Sequence, residues 1–259
     1  MAALVLQSYR TDAVAPWLAR CMASVRAWAA EAGHRYEFID DRLFDAVPGW
    51  FRDRCGAELL PQTDLARLLA MRARLRAGVA RVIWLDADVV VCAPARLRLD
   101  GDRGFALCAE TWLDADADGG LRASRRLNNA AMVMDAGNPL LDFYIHAVLE
   151  NAAHLAPGAI GKLEFGPQLL TRLAQVTPLP TIGEVGMLSP PLARAVAAGG
   201  GPACATFARA HGQAIAAVNL CASLVDDPRG FDAATVARAL DHLMATGGDV
   251  INRHLSAAT

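Results

Sequence analysis

Lysine is nearly absent from this chain of 259 residues. Lys162 is the one lysine among 25 basic residues, which face 27 acids for a formal net charge of −2. That balance, with a pI near 6.3, offers no basic field for a polyanion and excludes nucleic acid as the principal partner. The preference for arginine, alongside abundant alanine, reflects biased codon usage rather than chemistry. Long apolar runs are missing as well: no window of about 18 uninterrupted apolar residues exists to span a bilayer. The opening MAALVLQSY has no basic n-region and is too short for a signal peptide. The expectation is a cytoplasmic protein with at most peripheral association, for instance at an inner membrane. Six cysteines, at 21, 55, 92, 108, 204 and 221, show no C-x-x-C spacing, so they read as small hydrophobes in a reducing compartment. The glycine tract at Ala197 lacks a following G-K-[ST] and is a turn, not a phosphate loop. A D-x-D-x-D-G stretch begins at Asp114, but Arg125 stands where a calcium loop needs Glu, leaving a solvated loop. No internal repeat is present.

What the chain does have is RVIWLDADVVV, from Arg81 to Val91. In this apolar β-branched run, Asp86 and Asp88 lie two residues apart. On one strand they would leave the same face, and two such carboxylates repel unless a cation neutralises them. A hard divalent ion, Mg2+ or Mn2+, suits an oxygen-only pair and completes its shell with water and phosphate. Two other readings stand beside this one. Parallel strands often end in an Asp that caps the next turn or helix. A phosphohydrolase can also open a D-x-D pair at a strand end, although Val89, Val90 and Val91 replace its usual Gly and hydroxyl residue.

Around this strand the pattern is α/β in a single domain. Leu4 to Gln7 predicts a strand, Asp12 opens a helix that Gly33 ends, and Tyr36 to Ile39 predicts a second strand. This β-α-β start favours a parallel sheet packed with helices. Pro61 and Thr63 begin a helix closed by Gly78, with Asp64 and Arg67 three apart on one face. Such a pair is ordinarily a solvated ion pair. Phe105 to Ala109 predicts a short strand before the loop TWLDADADGG, and Asn129 to Met134 a further strand. Asn138-Pro139 starts a helix through about His154, and QLLTRLAQ a short one. Thr177 to Pro191 reads as loop with at most one short strand, Ile215 to Leu220 as an apolar run, and Phe231 to Met244 as the last helix.

These pieces occur in an order that resembles a known family. QSYRT at Gln7, RYEFIDD at Arg35, TDLARLLAMRARLRAG at Thr63, the DAD strand, Asn128-Asn129-Ala130 and GPQLLT at Gly166 together resemble the DXD-containing sugar transferases of the GT-A fold. That family includes the yeast initiating mannosyltransferase and bacterial capsular and surface polysaccharide enzymes. The resemblance spans about Leu4 to Leu224. It departs at Asn219, where NLCASL replaces H-L-W-N-S-W, and before the DXD strand, where a double-Gly turn is reduced to Gly78.

The resemblance implies a GT-A-type, Rossmann-like mixed sheet flanked by helices. Its nucleotide-binding half would cover about residues 1–110 and its acceptor-side half about 111–259. It implies a retaining hexosyltransferase that moves sugar from a UDP- or GDP-sugar to a glycan or lipid-linked acceptor, with Mn2+ or Mg2+. Asp86 and Asp88 would hold the metal, with Asn219 in place of the family's histidine. Asp64 and Arg67 would grip donor sugar and diphosphate, Gln7 and Tyr9 would lie by the base, and Asn129 and Gln168 would contact the donor sugar. The metal would act as a Lewis acid on the departing diphosphate. Glu110 and Glu164 are carboxylates available as an acceptor-side base, and their context in the sequence does not separate either from a surface acid. The lost His and aromatics motivate an alternative, a degenerate member that binds a nucleotide sugar or glycan without turnover.

Overall fold

In the computed structural model residues 2–101, 103–116, 118–156 and 158–255 are described. The expected β-α-β opening is present as β1 (Leu4–Ser8), α1 (Pro16–Glu31) and β2 (Arg35–Ile39). The helix begins at Pro16 rather than Asp12, because proline at the first helical position has its φ already set and loses no hydrogen bond there. Gly33, at φ +72°, supplies the left-handed turn after it. β1 lies parallel to β2 and to β3 (Arg81–Leu85). β6 (Leu121–Asp135) runs antiparallel to both β3 and β5 (Phe105–Ala115). β7 (Thr181–Ile182) completes a mixed six-stranded sheet in the order β2-β1-β3-β6-β5-β7.

Period-2 burial explains why β1 and β3 read as continuous apolar runs. Leu4, Leu6, Val82 and Trp84 face one apolar cluster, whereas Val5, Ile83 and Leu85 face another. The first cluster is closed by α2 (Gly49–Cys55), α3 (Leu59–Arg76), α4 (Pro139–His154) and α5 (Leu169–Ala174). The second is closed by α1 and by a small sheet of β4 (Val89–Val91), β8 (Val185–Met187) and β9 (Ala217–Asn219), ordered β4-β9-β8. Helices α6 (Pro190–Ala197), α7 (Pro202–His211) and α8 (Ala233–Thr246) pack behind it, with α9 (Asp249–Asn252) after them. The result is the mixed α/β sheet flanked by helices that the resemblance implied, rather than the parallel sheet that the β-α-β opening alone favours.

Three local expectations change. The run from Arg81 to Val91 is not one strand: it ends at Leu85, turns through Asp86-Ala87-Asp88 with Val89 N–H bonded to the Asp86 carbonyl at 3.0 Å, and enters the second sheet as β4. The turn removes both carboxylates from an apolar sheet face and sets them where polar donors meet them. The loop expected after Ala109 is instead the second half of β5, in a long hairpin with β6. Glu110 opposite Arg126 and Asp114 opposite Arg122 pair opposite charges across it. The Asp116 carboxylate accepts from the Asp118 and Gly120 N–H groups, so that acidic stretch is hairpin-turn chemistry. The proline-rich segment holds two short strands, β7 and β8, because each adds to an edge supplied by distant residues.

Candidate functional site

The chemistry-bearing residues meet at the carboxyl ends of β1 and β3, where open α/β sheets bind ligands. α3 brings Asp64 and Arg67 against this edge with their side chains 7% and 5% exposed, so the pair is not the solvated one its spacing suggests. Arg67 Nη2 lies 3.4 Å from Asp64 Oδ1, and Nη1 lies 2.9 Å from both Asp86 Oδ1 and the Asn129 carbonyl oxygen. The planar fork of guanidinium is suited to such a branched set.

Asn129 reaches this point through an irregularity in the sheet. Leu107 of β5 pairs with Met132 of β6, but the next residue, Cys108, pairs with Asn128. The three intervening β6 residues bulge from β5, and such bulges re-aim side chains. Asn129 thereby donates from Nδ2 to Asp64 Oδ1 at 2.9 Å and to the Tyr144 hydroxyl at 3.3 Å. Tyr144 donates in turn to the Phe165 carbonyl at 2.6 Å, on the π-helical turn Glu164–Gln168. Gly166 in that turn leaves space for the Asn129 amide, since a Cβ there would stand 2.9 Å from Oδ1.

The two DAD carboxylates have different surroundings. Asp86, its side chain 25% exposed, accepts from Trp84 Nε1 at 2.7 Å as well as pairing with Arg67. Asp88 Oδ1 accepts from Asn219 Nδ2 at 3.0 Å, and Oδ2 accepts from the Ala222 N–H at 2.7 Å. Asn219 uses its own oxygen to accept the Cys221 N–H at 2.7 Å. Cys221 holds a left-handed conformation at φ 53°, unusual for a residue with a Cβ, and this geometry follows from the two N–H bonds on either side of it.

Burial dominates the electrostatics. It raises Asp64 to about 6 against the pull of Arg67, and it raises Asp86. Asp88 is raised to about 6 by burial and then by the charge of Asp86. Burial opposes the charge on Arg67, but Asp86 and Asp64 outweigh it and its shift is upward. Among the described residues Asp64 and Asp86 pair with Arg67, and Asp88 has no ion-pair partner.

The other expected site residues are placed as follows. Gln7 is fully buried; it donates to the Asp86 carbonyl at 3.0 Å and accepts from the Tyr36 hydroxyl at 3.1 Å, tying β1, β2 and the DAD turn together. Tyr9 is half-buried just past β1, with the Arg10 guanidinium 5.5 Å from its ring centroid. Gln168 is exposed and is not joined to the Asp64–Arg67–Asn129 group; its Oε1 accepts from Arg172 at 3.4 Å. Glu164 also pairs with Arg172, at 3.5 Å, whereas Glu110 is buried at 5% exposure and accepts from Asn128 Nδ2 at 3.0 Å. Sequence reasoning missed Trp84, Tyr36 and Tyr144 as members of the site. Trp84 alone carried a signal, because i and i+2 spacing places it beside Asp86.

Among the described residues no group of three or more His, Cys, Asp or Glu side chains is gathered that could hold a metal ion. Two surface hollows, of about 540 and 360 Å³, lie elsewhere, one lined by Trp28, His34 and Asp100 and the other by Phe38, Arg42 and Arg74. No helix among the described residues is long and apolar enough to cross a membrane.

Fold and site together define a mixed α/β protein with a buried carboxylate–guanidinium centre at its strand ends. No protein-family model matches the chain, and no curated protein matches it. Among solved structures it is similar to a glycosyltransferase involved in the glycosylation of the major capsid of PBCV-1, at 13% identity and TM-score 0.48, over 93% of this chain and 100% of that one. It is also similar to mouse xyloside xylosyltransferase 1 in its apo form, at 11% identity and TM-score 0.40, over 86% and 98%. A third likeness, to A197 from STIV, has 10% identity and TM-score 0.29, over 69% and 80%.

Proposed function

We propose that this protein is a glycosyltransferase of the GT-A type, moving a hexose from a UDP- or GDP-sugar to a glycan or lipid-linked acceptor with Mn2+ or Mg2+. The observation that carries the reading is the charge deficit at the DAD turn. Among the described residues Asp64 and Asp86 pair with Arg67 and Asp88 has no ion-pair partner, in a largely buried setting, leaving two negative charges that a divalent cation fits. Asp86 and Asp88 would hold the cation, in an oxygen-only set whose remaining positions suit water and diphosphate. Asn219, expected as a third ligand, has its oxygen on the Cys221 N–H and its nitrogen on Asp88; its contribution is to orient Asp88.

When bound, the cation supplies Lewis-acid neutralisation of charge on the departing diphosphate. The chain's own residues do the positioning. Arg67, fixed by Asp64, Asp86 and Asn129, presents a guanidinium to the diphosphate side. Tyr9 offers a ring face at the strand ends for the base, with Gln7 holding those ends in register beneath it. Asn129, held by Asp64, would contact the donor sugar, whereas Gln168, exposed and bonded to Arg172, stands apart from that group. Transfer with retention needs no acceptor-side base, in keeping with the resemblance.

A second reading, a degenerate nucleotide-sugar or glycan binder, is favoured by one observation: both oxygens of Asp88 already take protein donors. A panel of nucleotide sugars tested for donor turnover, with Mn2+ and with chelator, decides between them. Turnover should require metal and fall by about 100-fold or more in Asp88→Ala, with a cooperative melt retained. Nucleotide binding without turnover on any donor supports the binder. Hydrolysis of simple phosphate esters points to a phosphohydrolase.

A further inference from the structure

Beyond the irregularity after Leu107, β5 and β6 continue as a paired arm. The base of that arm is fixed at the DAD turn, where the Asp86 N–H donates to the Ala130 carbonyl at 2.9 Å and Arg67 Nη1 donates to the Asn129 carbonyl at 2.9 Å. The two faces of the arm have different company. On one, Thr111 Oγ1 lies 2.9 Å from His211 Nδ1, the Arg125 guanidinium donates to the Ala210 carbonyl at 3.0 Å, and Leu113 is buried in the apolar cluster of the small sheet. The protein itself takes up the polar groups of that face.

The other face carries Glu110, Trp112 and Asp114 from β5, opposite Arg126, Ser124 and Arg122 from β6. Burial falls along it from Glu110, at 5% exposure, through half-buried Trp112, Ser124 and Arg126 to exposed Asp114 and Arg122. The strip therefore opens outward from the end nearest the DAD turn. The register sets both arginines opposite acids, yet among the described residues Arg122 and Arg126 enter no hydrogen bond and no ion pair. Trp112 packs against the apolar cluster with part of its surface and donates from Nε1 to Asp114 Oδ1 at 3.1 Å, which fixes its ring in the middle of the strip.

We infer that this strip is a saccharide-binding face, and that the acceptor is a neutral oligosaccharide whose chain lies along the arm. The acceptor role rests on the glycosyltransferase reading; the binding of saccharide rests on the strip alone. A sugar hydroxyl both donates and accepts, and the C–H face of the ring suits an indole. Two guanidinium forks not spent on the protein, a carboxylate and a fixed aromatic ring offer that combination. A polyanion would meet Asp114 and Glu110 as well as the arginines, and an apolar chain would take water from the guanidiniums without replacing its hydrogen bonds. From Glu110 to Asp114 the strand runs about 14 Å, longer than one sugar ring.

Calorimetric titration with a ladder of neutral gluco- and manno-oligosaccharides, from the monosaccharide upward, reads binding without any need for turnover. Wild type should bind longer members more tightly than the monosaccharide. The double variant Arg122→Ala/Arg126→Ala should weaken that binding by about 10-fold or more, and Trp112→Leu by about 3- to 10-fold. The double variant should melt as wild type does, since neither arginine has a protein partner to lose. In turnover assays acceptor kcat/KM should rise with chain length in wild type and lose that rise in the double variant, with donor KM within about twofold. A wild type that binds no member of the ladder, a double variant that binds as wild type does, or inorganic pyrophosphate bound more tightly than any saccharide overturns the inference while leaving donor turnover intact. Saccharide binding lost in the double variant, in a protein that turns over no donor, upholds the strip and overturns the transferase reading. Should Trp112→Leu fail to melt cooperatively, the double arginine variant decides by itself.

Discussion

Arg67 Nη1 lies 2.9 Å from Asp86 Oδ1 although the two residues belong to different elements, α3 and the turn after β3. The same guanidinium lies 5.5 Å from the Trp84 ring centroid, and Trp84 in turn donates to Asp86. This triangle places the first DAD acid, and removing its centre should cost stability before any question of catalysis arises. Arg67→Ala leaves Asp64 and Asp86 buried without their counter-charge, and urea unfolding should show a loss of about 3–5 kcal/mol. Arg67→Lys keeps the charge but loses the fork, and should fall between wild type and Arg67→Ala. An alanine variant within about 1 kcal/mol of wild type would show that the pair is effectively solvated.

Gly166 marks where the π-helical turn meets the site. A methyl group at this position would press on Asn129 at 2.9 Å from Oδ1 and 3.4 Å from Nδ2, and through it on Asp64. Gly166→Ala should destabilise the protein by about 1–3 kcal/mol through overpacking and should raise donor KM more than acceptor KM. Unfolding curves together with donor titration check this. An unchanged donor term would separate the turn from the donor side.

His211 carries a pH dependence whose sign is fixed by its partners. Nε2 donates to the Gly183 carbonyl at 2.6 Å, so Nδ1, 2.9 Å from Thr111 Oγ1, is the acceptor of a neutral ring. Burial, chiefly, lowers its pKa below the ordinary 6.5. As pH falls below 6.5 the unfolded chain takes a proton that the folded state refuses, so this group's contribution to stability falls. Asp64, raised to about 6, acts in the opposite direction over part of the window, because its folded form takes up the proton first. The histidine's share is therefore the difference between wild type and His211→Gln, measured by urea unfolding at pH 7.5 and pH 5.5. That difference should shrink at the lower pH. A difference that grows on acidification would mean that the ring is charged in the folded state.

Much of the architecture was legible in local patterns: the β-α-β opening, α3 with Asp64 and Arg67, Asn138-Pro139 starting α4, and α8, which the short α9 follows. Their signals are short-range ones, periodicity and capping, that the chain carries before it folds. The residue types of the site were legible for the same reason, since two acids in an apolar run demand partners wherever they end up.

What the sequence could not determine was which partners these would be. That Arg81–Val91 divides between two sheets depends on β9, more than a hundred residues later, offering an edge to β4. That Asn129 reaches Asp64 depends on the irregularity between Asn128 and Met132, where β6 bulges from β5. The burial of Glu110, which nothing in its neighbours along the chain announced, follows from the small sheet packing over it. Pairing across such separations is decided by which strand edges and apolar faces remain open once the local elements exist. Composition and spacing therefore named the acids and their helix, and tertiary packing alone decided which of them share a site.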